Sequence, residues 1–243
     1  MHEVFVPGRK GSLQIEMLAS ARRHGRVATV IPGTLEALMR ETHAGHPVLV
    51  LQNLGLSWAP AWHYAVVVGY DLPEQTVLLR SGDMPRQALP LRTFEHTWAR
   101  SNYWAFVALP PGQLAASADE RATTSALVAF ERNAQPAAAS TAYAAALARW
   151  PQSLTLAMGL GNTQYAAGDR AAAAQTFATA AQQHHAAAAY NNWAQVLLEL
   201  GQCTAAREAA ALALAAKDSL DAATQAALRR MVDAPMPKGV CKK

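Results

Sequence analysis

The sequence predicts an α+β domain followed by an all-helical domain of repeating hairpins. Residues 48–51 (VLVL), 64–70 (YAVVVGY) and 76–79 (TVLL) are short apolar runs, each bounded by turn residues, as in a buried β-core. Beyond residue 119 alanine dominates and the apolar period becomes helical. In that second half, a set of small and aromatic residues recurs at one fixed offset.

The first domain reads as helix, strand, helix and then several strands, an order that suits a largely antiparallel sheet. Ser12 is placed to cap a helix through Arg23 with Leu13, Met17, Leu18 and Ala21 on its apolar face, and Gly25 is placed to end it. Residues 27–31 read as a strand. Thr34 can cap a second helix over Leu35, Leu38 and Met39, stopped by Gly45 and Pro47. The turn at 71–74 joins the strands 64–70 and 76–80 as a hairpin, and Ser81, Gly82 and Asp83 end the second of them. Phe94 and Trp98 stand four apart on a short helix over 91–100, and residues 103–109 read as a last strand. The segment GQLAASAD, 112–119, is small and polar and reads as a linker. The expected division is therefore 1–111 for the α+β domain, 112–119 for the linker, 120–234 for the helical domain and 235–243 for a flexible tail.

In the helical domain Leu160, Gly161, Tyr165, Gly168, Ala173, Phe177 and Ala180 are answered by Trp193, Ala194, Leu198, Gly201, Ala206, Ala210 and Ala213. The spacing predicts helix, tight turn at glycine, helix, repeated. Ala173 and Ala206 allow close helix approach, and Phe177 fills the groove between helices. An earlier half-unit shows in Ala142, Tyr143, Ala146 and Leu147 before Trp150 and Pro151, and 219–231 reads as a capping helix. This pattern resembles the tetratricopeptide repeat. It departs from it at Ala210, where an aromatic is usual, and at His185, where a proline is expected. The resemblance implies a surface that holds a peptide or protein partner.

Composition bounds the function. The chain has 243 residues, 51% hydrophobic and 16% charged, with a net charge of +4, enough for two globular domains. Its basic clusters, the largest over 22–26, are not interleaved with aromatics, so no nucleic-acid partner is expected. No apolar run reaches the roughly 18 residues of a membrane-spanning helix, and no secretory signal follows Met1. Val4, Phe5 and Val6 read as a strand running into a turn at Pro7 and Gly8, so the chain is expected to begin part-way through its first domain. The two cysteines, Cys203 and Cys241, have no metal-ligand spacing and imply no disulfide framework. No cofactor or metal is implied. Cys203 reads as small buried filler, and the neighbours His184 and His185 point to different helix faces, which argues against joint ligation.

His63 opens the valine-rich strand. A histidine there can act as a general base, oriented by a residue leaving the adjacent strand, Ser81 or Asp83; the alternative is a rim histidine with no chemistry. Trp58 and Trp62 flank a proline-containing loop beside it and either line a cleft or cover the sheet edge. WHYAVVVGYD followed by TVLLRSGD, and the later TFEHTWARSNYWAFVALP, resemble segments of the bacteriocin-processing (double-glycine) cysteine peptidases. That resemblance implies a papain-like fold for residues 1–110 and a Cys-His-Asp mechanism of peptide hydrolysis. His63 would exchange the proton of a cysteine thiol, and Asp83, or Ser81 in its place, would orient the imidazole. The sequence departs from the family in lacking any cysteine before Cys203 and in having Ser81 about where the family's aspartate stands. A peptidase-like domain ahead of such repeats also resembles bacterial envelope proteins, which implies a cell-envelope or periplasmic location. Two functions are thus expected: a cysteine-peptidase family protein whose nucleophile lies upstream of this chain, or a non-catalytic adaptor that binds a protein or peptide partner.

Overall fold

The structure, a computed structural model, describes residues 12–218 and 220–233. The expected strand at 4–6, Cys241 and the tail at 235–243 lie outside the described residues. By its contacts the chain divides into two compact units, the first running to Ala134 and the second starting at Gln135.

Among the described residues, the first unit holds a six-stranded, wholly antiparallel sheet. Its strands are β1 (Val27–Val30), β2 (Val48–Asn53), β3 (Trp62–Asp71), β4 (Thr76–Ser81), β5 (Met84–Pro90) and β6 (Ala105–Leu109), in the order β1-β6-β2-β3-β4-β5. Side chains alternate between faces along each strand. One face therefore gathers Val48, Val50, Ala65, Val67, Val77, Leu79, Ala105 and Val107 into the core. Helices α2 (Leu35–His43) and α3 (Leu91–Ala99) add Leu38, Phe94 and Trp98 to that core. Thr34 caps α2, its side chain accepting from the Ala37 N–H at 3.1 Å. Helix α1 (Gln14–Arg23) begins after Leu13, and Ser12 does not cap it; the Ser12 carbonyl instead accepts from the Tyr64 hydroxyl at 3.1 Å. Strand β5 was not expected. Its sequence, MPRQALP, has two prolines and no β-branched residue, which an edge strand tolerates because one side of its ladder is open.

Residues 112–119, expected as a linker, run against the first unit. Ala115 and Ala118 are buried in its core. The Glu41 carboxylate, fully buried on α2, accepts from the Ala116 N–H at 3.0 Å and from the Ser117 N–H and hydroxyl at 2.7 and 2.6 Å, and lies 2.7 Å from His46 Nδ1. Burial raises the pKa of this carboxyl, but the bonds from Ser117, His46 and Ala116 outweigh it and hold the group below its ordinary value. Helix α4 (Glu120–Glu131), capped by Asp119, then packs on β1.

The second unit is a run of helices, α5 (Pro136–Arg149), α6 (Leu154–Ala166), α7 (Arg170–His184), α8 (Ala187–Glu199), α9 (Cys203–Ala215) and α10 (Ala222–Asp233), each packed on the next. Helices α6 and α8 begin 33 residues apart, as do α7 and α9. The turns inside the two hairpins pass through Gly168 and Gly201, at φ +85° and +76°, left-handed conformations that glycine adopts without strain.

Candidate functional site

Close helix approach builds the second unit. A Cβ on Gly161 of α6 would stand 2.4 Å from the Phe177 ring of α7, and one on Gly159 would stand 2.4 Å from the Tyr143 ring of α5. The aromatic ring of one helix thus seats on a bare backbone of the next. Ala173, Ala206 and Ala210 are fully buried in the same run of helices.

That packing leaves a groove of about 230 Å³ over Phe177 and Val196, walled by Asn162 and Tyr165 of α6 and by Asn191, Asn192 and Gln195 of α8. The amides form a line across the two helices. Asn191 donates to the Asn192 side-chain oxygen at 3.1 Å, and Asn192 donates to that of Asn162 at 3.3 Å. Each amide carries two donor hydrogens and two acceptor lone pairs, so the line retains unspent groups of both kinds. At one end the Glu199 carboxylate accepts from the Tyr165 hydroxyl at 2.6 Å and from Arg170 Nε at 2.7 Å. The hydrogen bond from Tyr165, then that from Arg170, lowers the Glu199 pKa, while the bond to Glu199 raises that of Tyr165. The charges at this rim are spent on each other. Among the described residues, no acidic or basic one lines the groove itself.

The residues singled out by sequence in the sheet unit are His63, Ser81, Asp83, Trp58 and Trp62. His63 is half-buried on the core-facing side of β3, opposite buried Gln52 on β2, and its Nε2 is 2.8 Å from Ser81 Oγ at the end of β4. Asp83 is exposed in the two-residue turn that joins β4 to β5, with Gly82 at φ +55°. Ser81, not Asp83, is the partner of His63. Trp62 points to the opposite face from its neighbour His63 and is 56% exposed. Trp58 stands out on the β2–β3 loop, 81% exposed. The base of that loop is fixed by Arg100, which donates to the Asn53 and Gly55 carbonyls at 3.2 and 2.6 Å. Among the described residues no group of three or more His, Cys, Asp or Glu is placed to hold a metal ion, and no helix is long and apolar enough to cross a membrane. Cys203, buried at the start of α9, is disulfide-bonded and offers no thiol.

No family model matches the chain, and no curated protein matches it. Among solved structures, the chain is similar to the Yersinia enterocolitica type III secretion chaperone SycD in complex with a peptide of the translocator YopD. The identity is 16% over 46% of this chain and 88% of that one, with a TM-score of 0.43. A second structure of the same translocator chaperone matches at 17% identity, over 46% of this chain and 79% of that one, with a TM-score of 0.42. The expected membership in the bacteriocin-processing cysteine peptidases is overturned. No family model matches, a peptidase family included, and the two solved structures named above are of a secretion chaperone. The histidine strand that suggested the family is a plain antiparallel strand whose histidine bonds a serine. The papain-like fold falls with it; the first unit is α+β in the coarser sense only. The amide groove was not foreseen. Its signal was present in the recurrence of Asn162 as Gln195, an exposed amide on the first helix of each hairpin.

Proposed function

We propose that the chain is a non-catalytic adaptor, and that its tetratricopeptide-like hairpins hold an extended peptide segment of a protein partner in the groove between α6 and α8. The line of amides from Asn191 through Asn192 to Asn162, above the apolar floor of Phe177 and Val196, supports this reading most directly. An extended peptide presents alternating N–H and C=O groups, and side-chain amides answer both without a net charge. The apolar floor takes a side chain of the same peptide. With no acidic or basic residue among the described ones of the lining, the segment bound is uncharged where it crosses the groove.

The test is an array of unbiased immobilised peptides probed with the full chain, followed by titration of the best binder in solution. Replacing Asn162 and Asn192 together by Ala removes two hydrogen bonds. At about 0.5–1.5 kcal/mol each, this is expected to weaken binding by about tenfold. Unchanged affinity in the double variant, or the absence of any selected peptide, would contradict the proposal.

A further inference from the structure

The β2–β3 hairpin of the sheet unit outruns its neighbours. Strand β6 leaves β2 at the Val50–Ala105 pair and the bond from the Leu51 N–H to the Trp104 carbonyl, and β4 leaves β3 at the Val66–Arg80 pair. The β2–β3 ladder runs on through the Asn53–Trp62 pair, then through a bond from the Leu54 N–H to Ala61 and two bonds exchanged by Leu56 and Ala59. From Leu51 to Leu56 the hairpin thus reaches roughly 15 Å past β6.

The tip is apolar, and its backbone is bonded to itself. Residues 54–62, LGLSWAPAW, carry no charged side chain. Leu54, Leu56, Trp58 and Trp62 are each more than half exposed. The N–H groups of Leu54, Leu56 and Ala59 donate to carbonyls of the tip at 2.9, 3.1 and 3.2 Å. Those of Gly55 and Ala61 donate to Asn53 Oδ1 at 3.0 and 2.9 Å, and Pro60 has none. A Cβ on Gly55 would stand 2.4 Å from the Ala59 carbonyl oxygen, so the tight closure of the tip depends on that glycine. A backbone that meets its own hydrogen bonds leaves water at little cost. The exposed side chains bury nothing within the fold, and on a protruding tip they suit an apolar medium better than a pocket-filling ligand. Cations stand around the base. Arg80 and Arg86 are exposed where β4 and β5 meet, at the same end of the sheet, and Arg100 donates to the Asn53 and Gly55 carbonyls. The carboxylate beside them is Asp83, in the turn. Tryptophan settles at the headgroup level of a bilayer, and arginines there meet lipid phosphates.

We propose that the β2–β3 hairpin docks the chain on an anionic lipid bilayer, with Leu56 and Trp58 inserted at the headgroup boundary and Arg80, Arg86 and Arg100 facing the lipid phosphates. This goes beyond the peptide groove, which belongs to the other unit.

The experiment is flotation of the full chain with vesicles of phosphatidylglycerol and phosphatidylcholine in equal parts, beside vesicles of phosphatidylcholine alone. The expected result is saturable partition to the anionic vesicles, at least about tenfold stronger than to the neutral ones. Trp58→Asp sets a negative charge on the tip and is expected to abolish the partition. Arg80→Gln together with Arg86→Gln is expected to weaken it at least about tenfold. All three side chains are exposed, so these changes leave the urea midpoint where it is in the wild type. The Asn162 and Asn192 double variant is expected to partition as the wild type does, which separates the tip from the groove. No partition to anionic vesicles, equal partition to neutral ones, or wild-type partition by Trp58→Asp would overturn the proposal. Self-association of the chain that Trp58→Asp removes, without partition to vesicles, would overturn it in favour of a second copy as the occupant.

Discussion

In the sheet unit the largest buried side chains come from segments far apart in the sequence. Leu38 from α2, Val48 and Val50 from β2, and Phe94 and Trp98 from α3 meet in one core. In the hairpin unit most buried positions are alanine, and neighbouring helices supply the partners. A few rings, Tyr143 and Phe177 chief among them, fill what the alanines and glycines leave open. The sheet unit therefore gains most of its stability from burying large apolar surfaces at long range. The hairpin unit gains it from close helix approach at short range, where a single added methyl is felt.

Substitutions that separate these two modes test the contrast. The largest effect is expected from Trp98→Ala. It empties a fully buried site and removes the indole N–H bond to the Trp104 carbonyl, 3.0 Å, for a loss of about 3–5 kcal/mol measured by denaturant unfolding. Gly161→Ala is expected to cost about 1–3 kcal/mol, because its methyl enters the space of the Phe177 ring. If the contact is what matters, Phe177→Leu in the same chain lowers that cost. A double-mutant cycle with no coupling between the two positions would count against ring-on-backbone packing.

Glu41→Gln keeps the shape of a buried side chain and removes its charge. It is expected to cost about 1–3 kcal/mol through the weakened bonds to residues 116 and 117. The folded pKa of Glu41 lies below its ordinary value of 4.5. Its contribution is therefore fully present above that value and is lost as pH falls through the depressed pKa, because the unfolded chain binds the extra proton first. The Gln variant is expected to lose less stability than the wild type across that acid range, as followed by urea midpoints at stepped pH. The smallest effect concerns the two hairpins alone. Asp169 caps α7 by accepting from the Ala172 N–H at 3.0 Å, whereas Gln202, 33 residues on, makes no such bond. Asp169→Ala is expected to lose about 1 kcal/mol and Gln202→Asp to gain up to about that much, read as shifts in melting temperature.

The same contrast decides what was legible in the sequence. The hairpins follow from local periodicity, so the recurrence of Gly168 as Gly201 and of Ala173 as Ala206 already places the helices in register. Phe94 and Trp98 were legible for the same reason, since they lie four apart on one helix face. The Glu41 latch was not, because its partners lie 75 and 76 residues away and no local pattern announces them. Strand β5 was hidden by its prolines. His63 and Ser81 were legible as neighbours through strand order, and a base at His63 through its place at the strand's opening, whereas the cysteine-peptidase mechanism came only from a family resemblance. The groove amides were not legible, because asparagines on a helix surface look like ordinary solvated residues. Only their alignment across α6 and α8, spelled out by the hydrogen bonds among them, distinguishes them.

The adaptor reading is tested most directly by placing a photo-reactive amino acid at Gln195, in the groove, and separately at Ala88, on the exposed edge strand β5. Each full chain is then irradiated with the peptide selected from the array. The account predicts a crosslink from position 195 and none from position 88, and loss of the crosslink when Asn162 and Asn192 are replaced by Ala. A crosslink from position 88 alone, or one from position 195 that survives the double replacement, would contradict it.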